Sequence, residues 1–166
     1  FSNGARLPQR FTADGKGVSP PLLWSGVPEG TSSLALIVED PDAPTPRPLV
    51  HALVVNIDPA LGGLAEGAIQ PDGDGSAGKD VGLNSYFSEG WLPPDPPTGH
   101  GPHHYVFQLL ALRKRADGSD VRPSPGRRDF TDHLRGRVLA AGVLIGTYSR
   151  GEAAGIGPLE AAPVPA

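Results

Sequence analysis

Two apolar runs in this sequence end on the same dipeptide. Residues 34–38, LALIV, lead into Asp40-Pro41, and residues 49–57, LVHALVVNI, run into Asp58-Pro59. Proline has no N–H for a hydrogen-bonded ladder and biases the residue before it away from helical backbone. Each run is therefore predicted as a short buried strand with a built-in stop. Residues 104–112, HYVFQLLAL, and 142–148, GVLIGTY, give two more. Residues 18–27, hemmed by Pro20, Pro21 and Pro28, predict a shorter edge element. One helix is expected, because Phe130, Leu134, Val138 and Ala141 form one apolar stripe at helical spacing. Ser124-Pro125 suits its start and Gly142 its stop.

With Gly 23 and Pro 20 among 166 residues, the chain approaches the composition of disordered segments. The apolar runs argue against that, and the glycines and prolines read instead as the turns of a loop-rich, mostly β domain. A sandwich or a barrel satisfies this pattern. The Gly/Pro/Asp-rich stretch 59–97, with its loop 62–97, is expected to be functional or mobile. Residues 1–150 are expected to form the domain, and 151–166 a flexible tail.

Net charge is −4, which gives no electrostatic pull toward nucleic acid. The basic cluster 122–137 is interrupted by Asp129 and Asp132 and reads as a solvated helix face. Cys 0 excludes disulfides, thiolate metal sites and a cysteine nucleophile. No apolar run reaches the ~20 residues that span a bilayer, and no amphipathic membrane helix is visible, so no membrane insertion is expected. The lack of methionine, with Phe1 at the start, reads as N-terminal processing. It leaves the compartment open, with the cytoplasm slightly favoured.

Gly73 to Asp80, GDGSAGKD, has the spacing of a phosphate-binding loop but places Asp80 where Ser or Thr would hold magnesium. It reads as a flexible loop. No G-x-S-x-G supports a serine hydrolase. The run GHGPHHYVF, residues 99–107, is more informative. His103 and His104 are adjacent, so on a strand they face opposite sides and cannot share one metal ion; His100 with His103 or His51 is conceivable as a ligand pair, but no metal-site spacing supports it. The same alternation sets His103 beside Tyr105 on one face, next to Gly99 and Gly101. Imidazole N–H, phenol O–H and unhindered backbone N–H are oxyanion donors. A strand-capping histidine satisfied by backbone is an equal alternative. The turn Asp40-Pro41-Asp42-Ala43-Pro44 and the strand residue His51 add a carboxylate, a rigid corner and a second imidazole, which could complete one polar pocket.

These stretches together resemble the phosphatidylethanolamine-binding protein family, in its bacterial Raf-kinase-inhibitor-like branch. The matching segments are SPPLLWSGVP (19–28), DPDAP (40–44), HALVVNI (51–57), GHGPHHYVF and LIGTYSR (144–150), in the family's order. The resemblance implies an antiparallel β-sandwich with a C-terminal helix and a small surface pocket for phosphate-type anions. By position it puts Asp40, His51, His103 and Tyr105 in the pocket, Pro44 and Pro97 in its walls, and Asp42 in support of the turn. The implied activity is binding rather than catalysis, with no cofactor and no metal. The implied ligand is a small anion or phospholipid headgroup. The alternative is a regulator docking a phosphorylated or acidic segment of a kinase or protease, with loop 62–97 giving specificity. In the expected mechanism His103 and Tyr105 donate to phosphate oxygens, assisted by backbone N–H groups near Gly101. Asp40 is expected to orient His51 and keep it partly cationic.

The sequence departs from the family at His104, where arginine is usual; that side chain is expected to face away from the pocket. Val50 and Ala52 replace bulky aromatics beside His51 and are expected to widen the cavity.

Overall fold

In the computed structural model of the chain, residues 1–71, 77–118 and 125–151 are described. The elements in chain order are β1 (Leu22–Leu23), β2 (Ser33–Asp40), β3 (Leu49–Ile57), β4 (Gly63–Leu64), β5 (Asp80–Val81), β6 (His103–Leu112), α1 (Arg127–Leu134) and β7 (Val138–Tyr148), with 3-10 turns at Gln9–Phe11 and Pro59–Leu61. The central sheet is antiparallel with strand order β5-β3-β2-β6-β7. A two-stranded sheet, β1 with β4, accompanies it.

Both faces of β2 are covered, which is why that strand reads as an unbroken apolar run. Leu34, Leu36 and Val38 pack on one side with Tyr105, Phe107, Leu22 and Leu64. Ala35 and Ile37 pack on the other with Leu53, Val55, Leu112 and Phe130 of α1. The sheet is thus sandwiched between α1 and a layer made of the small sheet and loops. Among the described residues the second sheet of the expected sandwich has only these two strands.

The helix is shorter than the stripe suggested. It starts after Gly126, while Ser124 lies outside the described residues. Gly136, in left-handed backbone at φ 72°, turns the chain, and Val138 begins β7. Val138, Ala141 and Gly142 belong to that strand and pair with Leu112, Leu110 and Leu109. The helical stripe fails there because a β-branched, apolar sequence beside an open sheet edge gains a full ladder by extending. Residues 73–76 of the Gly-rich loop and 152–166 of the expected tail also lie outside the described residues. The backbone of Gly4–Leu7 covers the last turns of the β7 edge through Gly4 N to Ile145 O (2.6 Å), Leu7 N to Thr147 O (2.7 Å) and Thr147 N to Ala5 O (2.9 Å). Gly146 permits this approach, since a Cβ there would sit 2.8 Å from Leu7 Cγ.

Phe130 is 1% exposed and joins α1 to the sheet. Phe130→Ala is expected to lower stability by about 3–5 kcal/mol, read from the shift of a urea unfolding midpoint.

Candidate functional site

The pairing of β2 with β6 fixes the centre of the site. Glu39 lies opposite Val106, so Asp40 at the end of β2 meets His103 at the start of β6. His103 Nδ1 and Asp40 Oδ2 are 2.6 Å apart, and both side chains are almost fully buried. A carboxylate accepts, so Nδ1 carries the proton. The other Asp40 oxygen accepts from the backbone N–H of Asp42 at 2.8 Å, which closes the DPDAP corner as an Asx turn.

His51 is placed by a different device. Val38 lies opposite Ala52 and Glu39 opposite Val50, which leaves His51 as the extra residue of a register shift in β3. Such bulges re-aim a side chain. His51 Nδ1 is 2.6 Å from the Leu92 carbonyl oxygen, and Leu92 N–H donates to the His51 carbonyl at 2.8 Å. The ring lies edge-on to Tyr105 (5.1 Å between centroids) and tilted toward Trp91 (6.2 Å). Burial holds its pKa below the ordinary histidine value, outweighing the Leu92 hydrogen bond and the Asp40 charge. His51 is therefore neutral near pH 7.

A cavity of about 380 Å³ opens between the DPDAP corner and the proline wall. Asp40, His51, His103, Pro44 and Pro97 all line it, with Leu92, Pro93, Asp95 and Pro96 on the facing side. Three contacts hold that wall. Ala13 N–H donates to Pro94 O at 2.9 Å, Arg150 donates to Pro96 O at 3.1 Å, and the same guanidinium pairs with Asp95 (2.5 Å) and Asp14 (2.8 Å). A larger cavity of about 620 Å³ lies elsewhere, beside Asn56, Lys114 and Arg137, and contains none of these groups.

Several expectations need correction. Asp40 orients His103, not His51, because the bulge turns His51 toward Leu92. His51 is neutral rather than partly cationic. Tyr105 is fully buried, and its hydroxyl has no hydrogen-bond partner among the described residues. It stands behind His51 and does not line the cavity. Gly101 and Asp42 do not line it either. Nor do Val50 and Ala52, whose side chains pack in the two apolar layers, so they do not widen it. Asp42 instead binds His104 at the backbone N and at Nδ1, both at 2.7 Å. Burial pushes the Asp42 carboxyl up, but these hydrogen bonds outweigh it and hold the carboxyl below its usual range. His104 does face away from the cavity and keeps an ion-pair geometry there.

Sequence reasoning missed Leu92 and Arg150 as parts of this site, and it weighed His100 beside His103 only as a metal-ligand pair. His100 Nδ1 sits 2.7 Å from His103 Nε2, which completes a chain from an exposed imidazole to the buried Asp40. The i, i+3 spacing of the two histidines around Gly101 was the available signal. Among the described residues no group of three or more His, Asp or Glu side chains is arranged to hold a metal ion, and no helix is long and apolar enough to cross a membrane.

The family model described as Phosphatidylethanolamine-binding protein matches residues 1–149. The chain belongs to the phosphatidylethanolamine-binding protein family. It is 40% identical to the UPF0098 protein of Methanothermobacter thermautotrophicus over 155 residues, 91% of this chain and 95% of that protein. Among solved structures it resembles Escherichia coli YbcL, described as a new member of the mammalian PEBP family, with TM-score 0.80 and 32% identity over 90% of this chain and 93% of that one. It also resembles a phosphatidylethanolamine-binding protein homologue of Chlamydia trachomatis, with TM-score 0.78 and 35% identity over the same shares. The family assignment and the mostly β, antiparallel fold with one helix read from the sequence both stand.

Two outcomes follow from the burial of these groups. Tyr105→Phe removes a buried hydroxyl with no partner among the described residues, so it is expected to leave stability unchanged or raise it by up to about 1 kcal/mol, measured by urea unfolding. His51 takes up a proton more readily unfolded than folded. Its contribution is intact above the ordinary value of 6.5 and is lost as pH falls from there toward the depressed folded-state value. His51→Gln is expected to flatten the fall in melting temperature across that window.

Proposed function

We propose that this protein is a non-enzymatic binding protein whose cavity takes a small phosphate-type anion or phosphorylated headgroup. The observation that carries this reading is the buried Asp40–His103 pair at the cavity wall. With Nδ1–H committed to Asp40, Nε2 is the nitrogen of His103 that could meet a ligand, and it is hydrogen-bonded to His100 Nδ1 at 2.7 Å. A phosphate oxygen that displaces His100 accepts from His103 Nε2–H, while Asp40 offsets the charge of the protonated ring. Among the described residues the hydroxyls that line the cavity are Thr45 and Tyr86, and Thr45 donates to the Arg47 carbonyl rather than to an imidazole, so binding is the simpler use of the two imidazoles.

The second reading is a regulator that docks a phosphorylated or acidic segment of a partner protein, such as a kinase or protease. One observation favours it. Tyr86 and Phe87, on the long loop, are 67% and 86% exposed, and Tyr86 stands at the cavity rim. Adjacent exposed aromatics beside a pocket are the composition of an interface rather than of ordinary surface.

A titration of the histidine ring resonances with phosphate and with phosphoethanolamine tests the primary reading. The His51 and His103 signals are expected to move together and saturate. His103→Ala and Asp40→Asn should each weaken binding about tenfold or more. Unchanged affinity in both variants would remove the reading.

A further inference from the structure

The antiparallel register of β6 and β7 brings together two basic runs that are distant in the sequence. Leu112 lies opposite Val138, so Arg113-Lys114-Arg115, leaving β6, runs beside Arg135-Gly136-Arg137, which leads into β7. A backbone turn fixes each run. Gly118 N–H donates to Arg115 O at 3.1 Å, and Arg137 N–H donates to Leu134 O at 3.0 Å. Gly118 and Gly136 supply the left-handed backbone these turns need, at φ 68° and 72°. Arg137 joins the two runs: its carbonyl accepts from Arg113 N–H and its Nε donates to Arg113 O, both at 2.9 Å. Its guanidinium is buried and also lies against His133, so Arg137 serves the scaffold.

Between the turns lies a cleft of about 390 Å³, at the opposite end of β6 from His103. Arg113, Lys114, Arg115 and Arg135 line it in front of Arg137. Asp117 is the only acid among its described lining residues, and Ala116 and Gly136 complete them. Arg113, Lys114 and Arg135 are exposed and Arg115 is half-buried. Arg113 and Lys114 have no ion pair among the described residues. Arg115 pairs with Asp117 at 3.6 Å and Arg135 with Asp132 at 3.4 Å, exposed contacts of little energy. Gathering these cations in one cleft, on a chain of net charge −4, is opposed by their mutual repulsion and favoured by a concentrated anion.

Three of the accessible cations are arginines, whose planar fork pairs with two phosphate oxygens at once. They come from two separate turns, so two joined phosphates meet more of them than one phosphate does. We propose that this cleft is a second anion site, separate from the DPDAP cavity, which binds a diphosphate group. It does not depend on the phosphate reading of that cavity. The neighbouring cavity of about 620 Å³ shares Lys114, Arg115 and Arg137 with the cleft and has room for the rest of an organic diphosphate. Its acids Asp58 and Asp80 accept from Ala60 N–H and from Asn56 and do not line the cleft. The group can be the inorganic ion or the end of an ester; the chemistry met by the arginines is the same.

The whole 15N-labelled chain would be titrated at neutral pH and low salt with inorganic diphosphate, methyl diphosphate, orthophosphate and citrate, a tricarboxylate. The backbone amide signals of residues 113–118 and 135–137 are expected to shift and saturate with diphosphate. It should bind about tenfold or more tighter than orthophosphate or citrate. Given that difference, methyl diphosphate binding equally well supports the proposal with an ester as the source, and weaker binding supports it with the inorganic ion as the source. Arg113→Gln and Lys114→Gln should each weaken diphosphate binding about fivefold or more. Arg115→Lys, which keeps the charge and loses the fork, should weaken it too. Arg128→Gln, exposed on α1 and outside the cleft, should leave the affinity unchanged, as should His103→Ala in the DPDAP cavity. The wild-type comparison stands even if one variant fails to fold. Citrate or orthophosphate binding as tightly as diphosphate would reduce the cleft to a patch of charge and overturn the proposal. Shifts confined to the surroundings of His51 and His103, or no response to diphosphate, would overturn it as well.

Discussion

The contact on which the site depends is the hydrogen-bonded pair of Asp40 and His103, 63 residues apart in sequence and nearly excluded from water. A buried charge is tolerated only when its lone pairs are met. Asp40 meets this condition twice, through His103 and through the backbone of the corner it begins. One carboxylate therefore sets the end of β2, the shape of the DPDAP turn and the tautomer of the imidazole at the start of β6. Removing it would leave the ring without its orienting partner and the corner without its closing bond.

Around that pair the molecule ties distant parts of the chain to one wall. Trp91 stacks on Phe107 at 6.0 Å and donates to the Phe11 carbonyl at 3.0 Å. Arg150 joins the N-terminal turn at Asp14 to the wall residues Asp95 and Pro96. The Asp14 carboxyl is held below its usual range, first by Arg150 and then by the Tyr148 hydroxyl, so this junction stays charged across the ordinary pH range. The LIGTYSR segment owes its place beside the cavity to this junction, through Tyr148 and Arg150.

Much of this was legible in the sequence because strand periodicity is rigid. The alternation that places His103 and Tyr105 on one face and His104 on the other follows from a period of two, and the burial over residues 103–108 obeys it. The apolar runs stopped by Asp-Pro became β2 and β3 with the expected ends. What was not legible depended on partners chosen across the sheet. The bulge that frees His51 exists only as a mismatch of register between β2 and β3, so no pattern within residues 49–57 announces it. The spacing of Phe130, Leu134, Val138 and Ala141 satisfies a helix up to Leu134 and is accidental beyond it, where the edge of β6 supplies ten pairing positions. Asp40 had two histidines within plausible reach by sequence, and only the β2–β6 register decides for His103.

The wall formed by Leu92-Pro93-Pro94-Asp95-Pro96-Pro97 has a thermodynamic side. Each proline ring fixes one backbone torsion, so this segment has few conformations to lose, whether the chain is folded or not. The contacts from Ala13 and Arg150 remove much of what freedom is left. A guest entering the cavity therefore meets a surface that is already ordered, and little of its contact energy is spent on immobilising the host. Stiffness of this kind would let a pocket of about 380 Å³ hold a small polar guest with few contacts, at the expense of adapting to guests of other shapes.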